Sequence, residues 1–433
     1  MVRSFVLFFL SAALVASQAS DKRGALDPAF EKIPLDQWLG ERGQPHFCWT
    51  AKVTRAQLSF HQRLMVRVEI EVDGRDLETR RGNGDLMMFV QITADDGTRY
   101  QNHQSVELNK LSENVKAANL DSSFAAFILP GDYRLAAAIQ DSATGEHSTI
   151  QAKFRVAPPQ EDLLRDAWRH LPPVEFIGKE ESPDSWYLPA ILGRLEWAAA
   201  VHSPARLNII LNVAPSVPVP GSRPSPSGEM AALLPTLKVF SATGSSSVAE
   251  HVEVLDLARR RTAFHQDEVG DLDWPGLKAS LGEANTASID VHSLSERHHD
   301  AQFFVTEVRR LLRASDKPCV LVVLTKPVAF ESGEDLEPIS LEALPACRVI
   351  YIRYRAPTER VRPFDQPMGG RGRGGRMGGP MNRRQTSPDA LDQLEATLKP
   401  LNPKVFDVET SEQMTRALVE TEKALRTGGQ PTR

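Results

Sequence analysis

Cysteines, long apolar runs and a dominant charge are scarce or absent in this 433-residue sequence. Three cysteines exclude a small fold held together by several disulfides. No segment reaches the about 18 consecutive apolar residues that a membrane-spanning helix requires, so we expect no helix that crosses a membrane. The net charge of −5 predicts no particular class of partner.

Recognisable catalytic motifs are also missing. No phosphate-binding loop or Rossmann glycine pattern follows the first predicted strand of the C-terminal region. No nucleophile elbow surrounds Ser216, and spacing alone assembles no Ser/His/Asp arrangement. We therefore assign no catalytic residue and no cofactor, and an enzyme is the less favoured class.

The N-terminus has the three regions of a secretory signal peptide. Arg3 precedes an apolar run over residues 5–16, and small residues follow, with Ser17 and Ala19 at the −3 and −1 positions of a cleavage site. We predict a signal peptide over residues 1–20. The protein is then exported and either periplasmic or extracellular.

Residues 25–157 are predicted to form an antiparallel β-sandwich of the immunoglobulin type. The segments with strand composition are "FCWTAKV", "RLMVRVEIEVD", "LMMFVQIT", "FAAFILP", "DYRLAAAIQD" and "STIQAKFRV". Turns rich in Gly and Asp separate them, as antiparallel connections require. The preceding "FEKIPLDQWLG" predicts a short helix that docks on this domain.

A predicted connector over residues 158–204 leads to alternating strands and helices over residues 205–427. Strands are predicted at residues 207–213, 251–257, 319–325, 347–354 and 404–408, with a further extended stretch at 287–292. Near-continuous apolar strands that alternate with helices indicate a doubly wound α/β domain with a mostly parallel sheet. The chain is thus predicted to be multidomain.

Helix signals are clearest towards the C-terminus. The stretch over residues 298–314 has an apolar stripe at helical spacing. Ser387 is predicted as the N-cap of the next helix, and Thr410 with Gln413 has the spacing of a capping box, with Gly428 as the stop. Pro235 is expected to interrupt or start the helix that follows the first strand.

Cys319 and Cys347 each open an apolar predicted strand. Two alternatives follow, one disulfide bond or two buried free thiols. We favour the free thiols, because adjacent strands offer poor geometry for a bridge.

Five histidines lie between His251 and His299. They lack the tight ligand spacing of a known zinc site. The pair at His298 and His299 is typical of a helix start, with Asp300 in the first turn, so we predict no metal there.

The order of these patterns resembles the von Willebrand factor A family. The resemblance covers residues 205–427 and is closest to exported von Willebrand A-related proteins of acidobacterial type, whose upstream immunoglobulin-like domain fits the stretch with "LPGDYRL" and "DSATGE". It implies that a divalent cation bridges to an acidic group of the partner. The implied ligands are an Asp-x-Ser-x-Ser motif after the first strand, an Asp after the fourth strand and a Thr from a middle loop.

The implied ligand positions are altered in this sequence. Asn212, Ala214 and Ser216 match the first motif, and Lys326 matches the Asp after the fourth strand. An ammonium group repels a cation and donates hydrogen bonds where the metal requires acceptors. Thr286 lies in the right region for the Thr ligand, but spacing does not single it out. We therefore predict that this site binds no metal.

An Arg/Gly-rich insertion over residues 356–386 follows the fifth predicted strand. Eight arginines and two carboxylates lie between Arg355 and Arg384, and the glycine content predicts disorder in the unbound state. Arg/Gly repeats are found in RNA-binding segments, but export argues against nucleic acid as the partner. A passive solvated loop is the plainest interpretation; the alternative is an anionic target bound by Arg371, Arg373 and Arg376.

Together these features predict an exported, non-catalytic binding or scaffolding protein that recognises a protein or other anionic envelope partner. Ligands of open α/β sheets lie outside the carboxyl ends of the strands, near the switch point of the strand order. The candidate binding residues there are Asn212, Ser216, Lys326, Arg371, Arg373 and Arg376. Two alternatives stay open, an envelope hydrolase with an unidentified site and metal-dependent adhesion through a rearranged site.

Overall fold

The computed structural model contains antiparallel sheets in the N-terminal part of the chain and a mixed sheet in the C-terminal part. It describes residues 27–41, 47–82, 84–112, 114–159, 171–177, 205–213, 226–241, 250–267, 272–284, 299–314, 317–328, 339, 347–355 and 392–428. The predicted signal peptide, the extended stretch at 287–292 and the insertion at 356–386 lie outside these residues.

The chain divides into two compact units that each combine distant segments of sequence. The first unit consists of Met1–Ala51, Ile70–Ser122 and Asp132–Phe154. The second consists of Lys52–Glu69, Ser123–Gly131 and Arg155–Arg433.

The N-terminal elements start with a 3-10 helix at Pro28–Lys32 and helix α1 at Leu35–Trp38. The remaining helices here are α2 (Gly74–Arg80) and 3-10 turns at Leu108–Lys110 and Val115–Ala117. The strands are β1 (Trp49–Val53), β2 (Gln57–Leu58), β3 (Leu64–Val72), β4 (Asp85–Ala94), β5 (Arg99–Glu107), β6 (Leu120–Ile128), β7 (Gly131–Asp141), β8 (His147–Val156) and β9 (Val174–Phe176).

These strands form two sheets with the orders β5-β4-β7-β8 and β1-β3-β6-β9, and β2 pairs with β3. The strand segments predicted from the sequence correspond to β1, β3, β4, β6, β7 and β8, which confirms them. The sequence did not predict β5, "RYQNHQSVE", because its residues are almost all polar. Among the described strands it pairs with β4 alone, and an edge strand has less need of apolar side chains.

The short helices before β1 have their own small core. Phe30, Leu35 and Trp38 are buried and pack with Phe89 of β4 and Ala138 of β7. The rings of Phe30 and Phe89 meet edge to face, with centroids 5.2 Å apart. The docked helix predicted from "FEKIPLDQWLG" is therefore confirmed.

The C-terminal elements alternate between strands and helices. The strands are β10 (Arg206–Asn212), β11 (Glu250–Asp256), β12 (Arg261–Asp267), β13 (Cys319–Thr325), β14 (Cys347–Tyr354) and β15 (Lys404–Val408). The helices are α3 (Pro226–Ser241), α4 (Trp274–Ala284), α5 (Asp300–Ala314), α6 (Gln393–Leu398) and α7 (Ser411–Arg426), with 3-10 turns at Leu257–Arg259 and Lys399–Leu401.

The six strands form one sheet in the order β12-β11-β10-β13-β14-β15. Neighbours from β11 to β15 are parallel, whereas β12 is an edge strand antiparallel to β11. The five strands predicted for this region are confirmed, and β12 is an addition. All seven residues of β13 are buried, as expected for a strand covered on both faces.

Helix α5 covers part of this sheet with the apolar stripe that the sequence predicted. Ala301, Phe304, Val308, Leu311 and Leu312 are buried in one cluster with side chains of β10, β13 and β14. The amphipathic spacing therefore gives a helix that packs by one face.

Of the helix ends that the structure describes, the start of α7 agrees with the sequence prediction and the start of α3 differs from it. The capping box of Thr410 and Gln413 is present at the start of α7, and Gly428 follows its end with a φ of +66°. Helix α3 begins at Pro226 and contains Pro235, so a start at Pro235 is wrong. The helix start predicted at Ser387 lies outside the described residues; within them, Asp392 is extended and helix α6 begins at Gln393. None of the described helices is long and apolar enough to cross a membrane.

Cys319 and Cys347 form a disulfide bond, so the preference for two free thiols is wrong. The two residues are direct partners in the register of β13 and β14, with Cα atoms 4.4 Å apart. That spacing lies at the short end of the range that a bridge accepts. Register, which the sequence does not show, brought the sulfurs together.

Candidate functional site at the carboxyl ends of the parallel strands

The candidate site is the edge of the mixed sheet where the parallel strands end. We name it the carboxyl edge and define it by Asn212, Asp256, Lys326, Arg355 and Val408, at or next to the ends of β10, β11, β13, β14 and β15. Ligands of open α/β sheets lie at this edge. Ser216 and the three insertion arginines of the predicted site lie outside the described residues.

The structure brings Asn212 and Lys326 together through one hydroxyl group. The Nδ2 of Asn212 donates to the Oγ1 of Thr325 over 3.0 Å, and that hydroxyl donates to the carbonyl of Lys326 over 3.1 Å. All three residues are buried, with Lys326 only 4% exposed. Within the described part of the chain this hydroxyl has an amide and a carbonyl as partners, and neither is a base that could activate it as a nucleophile.

The carboxylate of Asp256 at the end of β11 is compensated by arginines. Its Oδ2 lies 2.7 Å from Arg259 and 3.8 Å from Arg261, while the residue itself is buried. A buried carboxylate requires such partners, because its desolvation is costly. The sequence did not single out this group.

Arg353 near the end of β14 is the centre of a network of carboxylates. Its Nε and Nη2 donate to the two oxygens of Asp407 over 2.6 and 2.9 Å. Its Nη1 donates to Asp392 over 2.7 Å and to Glu395 over 3.1 Å. The hydroxyl of Tyr351 lies 3.0 Å from the Oδ2 of the same Asp392. Each guanidinium nitrogen is therefore used within the fold.

The electrostatics of this network favour fixed charges. Burial raises the pKa of Tyr351, and Asp392 raises it further. Burial alone lowers the pKa of Arg353, but its hydrogen bonds to Asp407 and Asp392 outweigh burial and raise it. The hydrogen bond from Arg353 holds the pKa of Asp407 below its ordinary value. The directions of these three pKa shifts keep Tyr351 neutral and Arg353 and Asp407 charged near neutral pH, so we regard the network as an element of structure.

A second cluster lies at the start of β11 and the end of β12. Among the described residues, His251, His265 and Asp267 form a group whose possible ligand atoms lie within 4.8 Å of one another. The sequence predicts no metal site from these histidines, because it does not predict strand β12, which brings His265 next to His251. The available signal was the pair of strand segments "HVE" and "HQD", which place the polar residues on one face.

Comparisons with protein-family models and with curated proteins found no match to this chain. The functional assignment therefore depends on the geometry described above.

Proposed function

We propose that the chain is an exported, non-catalytic binding or scaffolding protein, in which an immunoglobulin-like sandwich precedes a doubly wound domain of the von Willebrand A type. It recognises a protein or other anionic envelope partner at the carboxyl edge without a bridging metal ion. The observation that carries this proposal is the burial of Lys326 next to the hydrogen-bonded pair of Asn212 and Thr325.

The strand order supports the doubly wound arrangement. Numbered along the chain, the mixed sheet has the order 3-2-1-4-5-6. This is a common order of doubly wound sheets, in which the switch point lies between the first and fourth strands. Those strands are β10 and β13, and they end next to Asn212 and Lys326.

The side chains at the switch point support recognition without an ion. Mg²⁺ requires several oxygen ligands in near-octahedral geometry. Asn212 directs a donor towards Thr325, and Lys326 adds an ammonium group that has no lone pair to offer. A positive charge in a buried position also raises the energy of a nearby cation, because screening by water is weak there.

Thermal unfolding of metal-free protein with and without Mg²⁺ tests the absence of an ion. A free Mg²⁺ concentration of about 100 times Kd would stabilise the folded protein by about 2.7 kcal/mol, which raises Tm by several degrees. We expect no shift for the wild type. The variant with Asn212→Asp and Lys326→Asp restores two carboxylates and is expected to gain a Mg²⁺-dependent shift. A Mg²⁺-dependent shift in the wild type contradicts the proposal.

Affinity capture from an envelope extract tests the role of the insertion. The variant Arg371→Ser, Arg373→Ser, Arg376→Ser removes three positive charges and is expected to lose its partner, and added salt should weaken capture by the wild type. If the triple variant still captures every partner, the insertion does not take part in binding.

A matched control removes the same charge elsewhere. Arg67, Arg75 and Arg81 are exposed residues of the N-terminal part, and their replacement by serine gives the same change in net charge. We expect this control to retain the partner. Equal loss in both triple variants would show a general effect of net charge and would contradict a specific contact.

A further inference from the structure

The antiparallel register of β11 and β12 places four ligand-type side chains on one face. His251 is paired with Asp267, and Glu253 is paired with His265. Residues two positions apart on a strand share a face, and directly opposed residues of two strands share it too. The four side chains therefore form a two-by-two patch at the edge of the mixed sheet.

Distances within the patch suit a single ion. The Nδ1 of His251 lies 2.7 Å from the Oδ1 of Asp267, and the Nε2 of His265 lies 3.7 Å from the Oδ2 of Asp267. Zinc binds nitrogen and oxygen ligands at about 2.0–2.2 Å, which places two ligands of a tetrahedral ion about 3.3 Å apart. The two measured separations, 2.7 and 3.7 Å, lie on either side of that spacing.

Two buried atoms behind the patch lie opposite each other. His251 is 3% exposed and Glu253 is 1% exposed. The Nε2 of His251 and the Oε2 of Glu253 face each other at 4.0 Å, and neither has a hydrogen-bond partner within the described part of the chain. The Nδ1 of the same imidazole ring is directed at Asp267, so Nε2 is the ring nitrogen left to pair with Glu253.

The position of Glu253 fits a supporting role. Histidine ligands of metals commonly donate their second ring N–H to a carboxylate, which fixes the ring and its tautomer. With Nδ1 of His251 as the ligand atom, Nε2–H is directed at Glu253. The other oxygen of Glu253 is held by Arg310 and by Thr262, the latter at 3.2 Å. These partners fix the position of the carboxylate.

The site is open to solvent on one side, and an arginine competes with the ion for one ligand. The side chains of His265 and Asp267 are 47% and 60% exposed, so an ion can enter and water can occupy a remaining coordination position. Arg206 donates to the Oδ1 of Asp267 over 3.2 Å and competes for this carboxylate. Two imidazoles and one carboxylate favour zinc and similar metals over Mg²⁺ or Ca²⁺.

We propose that His251, His265 and Asp267 bind one divalent transition-metal ion of the zinc class, with Glu253 orienting His251 and one coordination position open. The site is at the opposite end of β11 from Asp256 and does not depend on the function proposed for the carboxyl edge. Binding joins the edge strand β12 to β11 and therefore stabilises this edge of the sheet.

Titration of the metal-free full chain with Zn²⁺, followed by calorimetry, tests the proposal, and Co²⁺ serves as a spectroscopic probe. We expect one tight zinc equivalent, a zinc-dependent rise in Tm and visible Co²⁺ bands typical of four-coordinate geometry. His265→Ala and Asp267→Asn should each weaken zinc at least about 100-fold, and Glu253→Gln should weaken it about 10- to 100-fold. The first two residues are exposed, so these variants should fold.

His147→Ala is the matched control. His147 also pairs with a carboxylate, that of Glu41 at 2.9 Å, but among the described residues the two belong to no group of three possible metal ligands. We expect zinc affinity to be unchanged in this control. Tight zinc binding that persists in both His265→Ala and Asp267→Asn, or the absence of tight zinc binding by the wild type, overturns the proposal.

Discussion

Replacing Arg353 by methionine removes the positive charge that compensates Asp392 at the carboxyl edge. The side chain of Asp392 is 0% exposed and lies 2.7 Å from Arg353. In Arg353→Met the carboxylate keeps the hydroxyl of Tyr351 but loses its counter-charge. The variant should therefore lower the free energy of unfolding at neutral pH.

The size of the expected loss in unfolding free energy depends on how exposed each carboxylate partner of Arg353 is. Removing one member of a buried ion pair costs about 3–5 kcal/mol, because the remaining charge is left uncompensated. Asp407 and Glu395 are 51% and 48% exposed, so their contacts with Arg353 add at most about 1 kcal/mol. We expect a total loss of about 3–5 kcal/mol, most of it due to Asp392.

Urea unfolding followed by circular dichroism measures this loss, and hydrogen exchange of β14 and β15 shows where it occurs. Arg99→Met is the control, because its partner Asp36 is 70% exposed and the pair should contribute at most about 1 kcal/mol. The double variant Arg353→Met with Asp392→Leu should recover about 2–3 kcal/mol relative to the sum of the single changes. A loss under about 1 kcal/mol in Arg353→Met, or additive effects in the double variant, refutes the reasoning.

Three further predictions concern other parts of the chain. Burial, together with the positive charges of Lys238 and Arg63, lowers the pKa of His61 to about 3. Below about pH 6.5 the unfolded chain therefore binds a proton on this histidine, whereas the folded protein leaves it neutral. Stability should therefore fall by about 2 kcal/mol from pH 7 to pH 5 by urea unfolding, and His61→Phe should flatten this dependence. Replacing both bridged cysteines by alanine opens a loop with a sequence separation of 28 and should cost about 3.6 kcal/mol in the same urea measurement; an unchanged midpoint contradicts a formed bridge. Thr410→Ala removes the capping box of α7 and should cost about 1 kcal/mol, with faster hydrogen exchange in its first turn, whereas Thr410→Ser should be nearly neutral.

Local signals in the sequence were sufficient for many of the elements. Strand β13 was predicted to the residue, because seven consecutive apolar side chains suit a strand buried on both faces. The start of α7 was predicted from Thr410 and Gln413, whose hydrogen bonds involve only neighbouring residues. Strand β5 was not predicted, because it has few apolar side chains and is held in the sheet by its backbone pairing with β4.

The candidate sites depended on contacts between distant segments. The sequence indicated that Asn212 and Lys326 share an edge, but the burial of Lys326 and the link through Thr325 appear only in the fold. Asp392 is extended at the N-terminal end of α6, and its carboxylate binds Tyr351 and Arg353, which lie about 40 positions earlier in the chain. Contacts between such distant residues cannot be predicted from the local sequence.

The sequence by itself determined the alternation of elements, the apolar strands and the capped helix, since each of these depends on residues a few positions apart. The tertiary structure alone decided the bridge between Cys319 and Cys347 and the grouping of His251, His265 and Asp267. Both depend on strand register, and a shift of one residue turns every side chain of a strand to its other face. Register is set by the packing of the whole sheet, and for this reason neither grouping could be predicted from spacing along the chain.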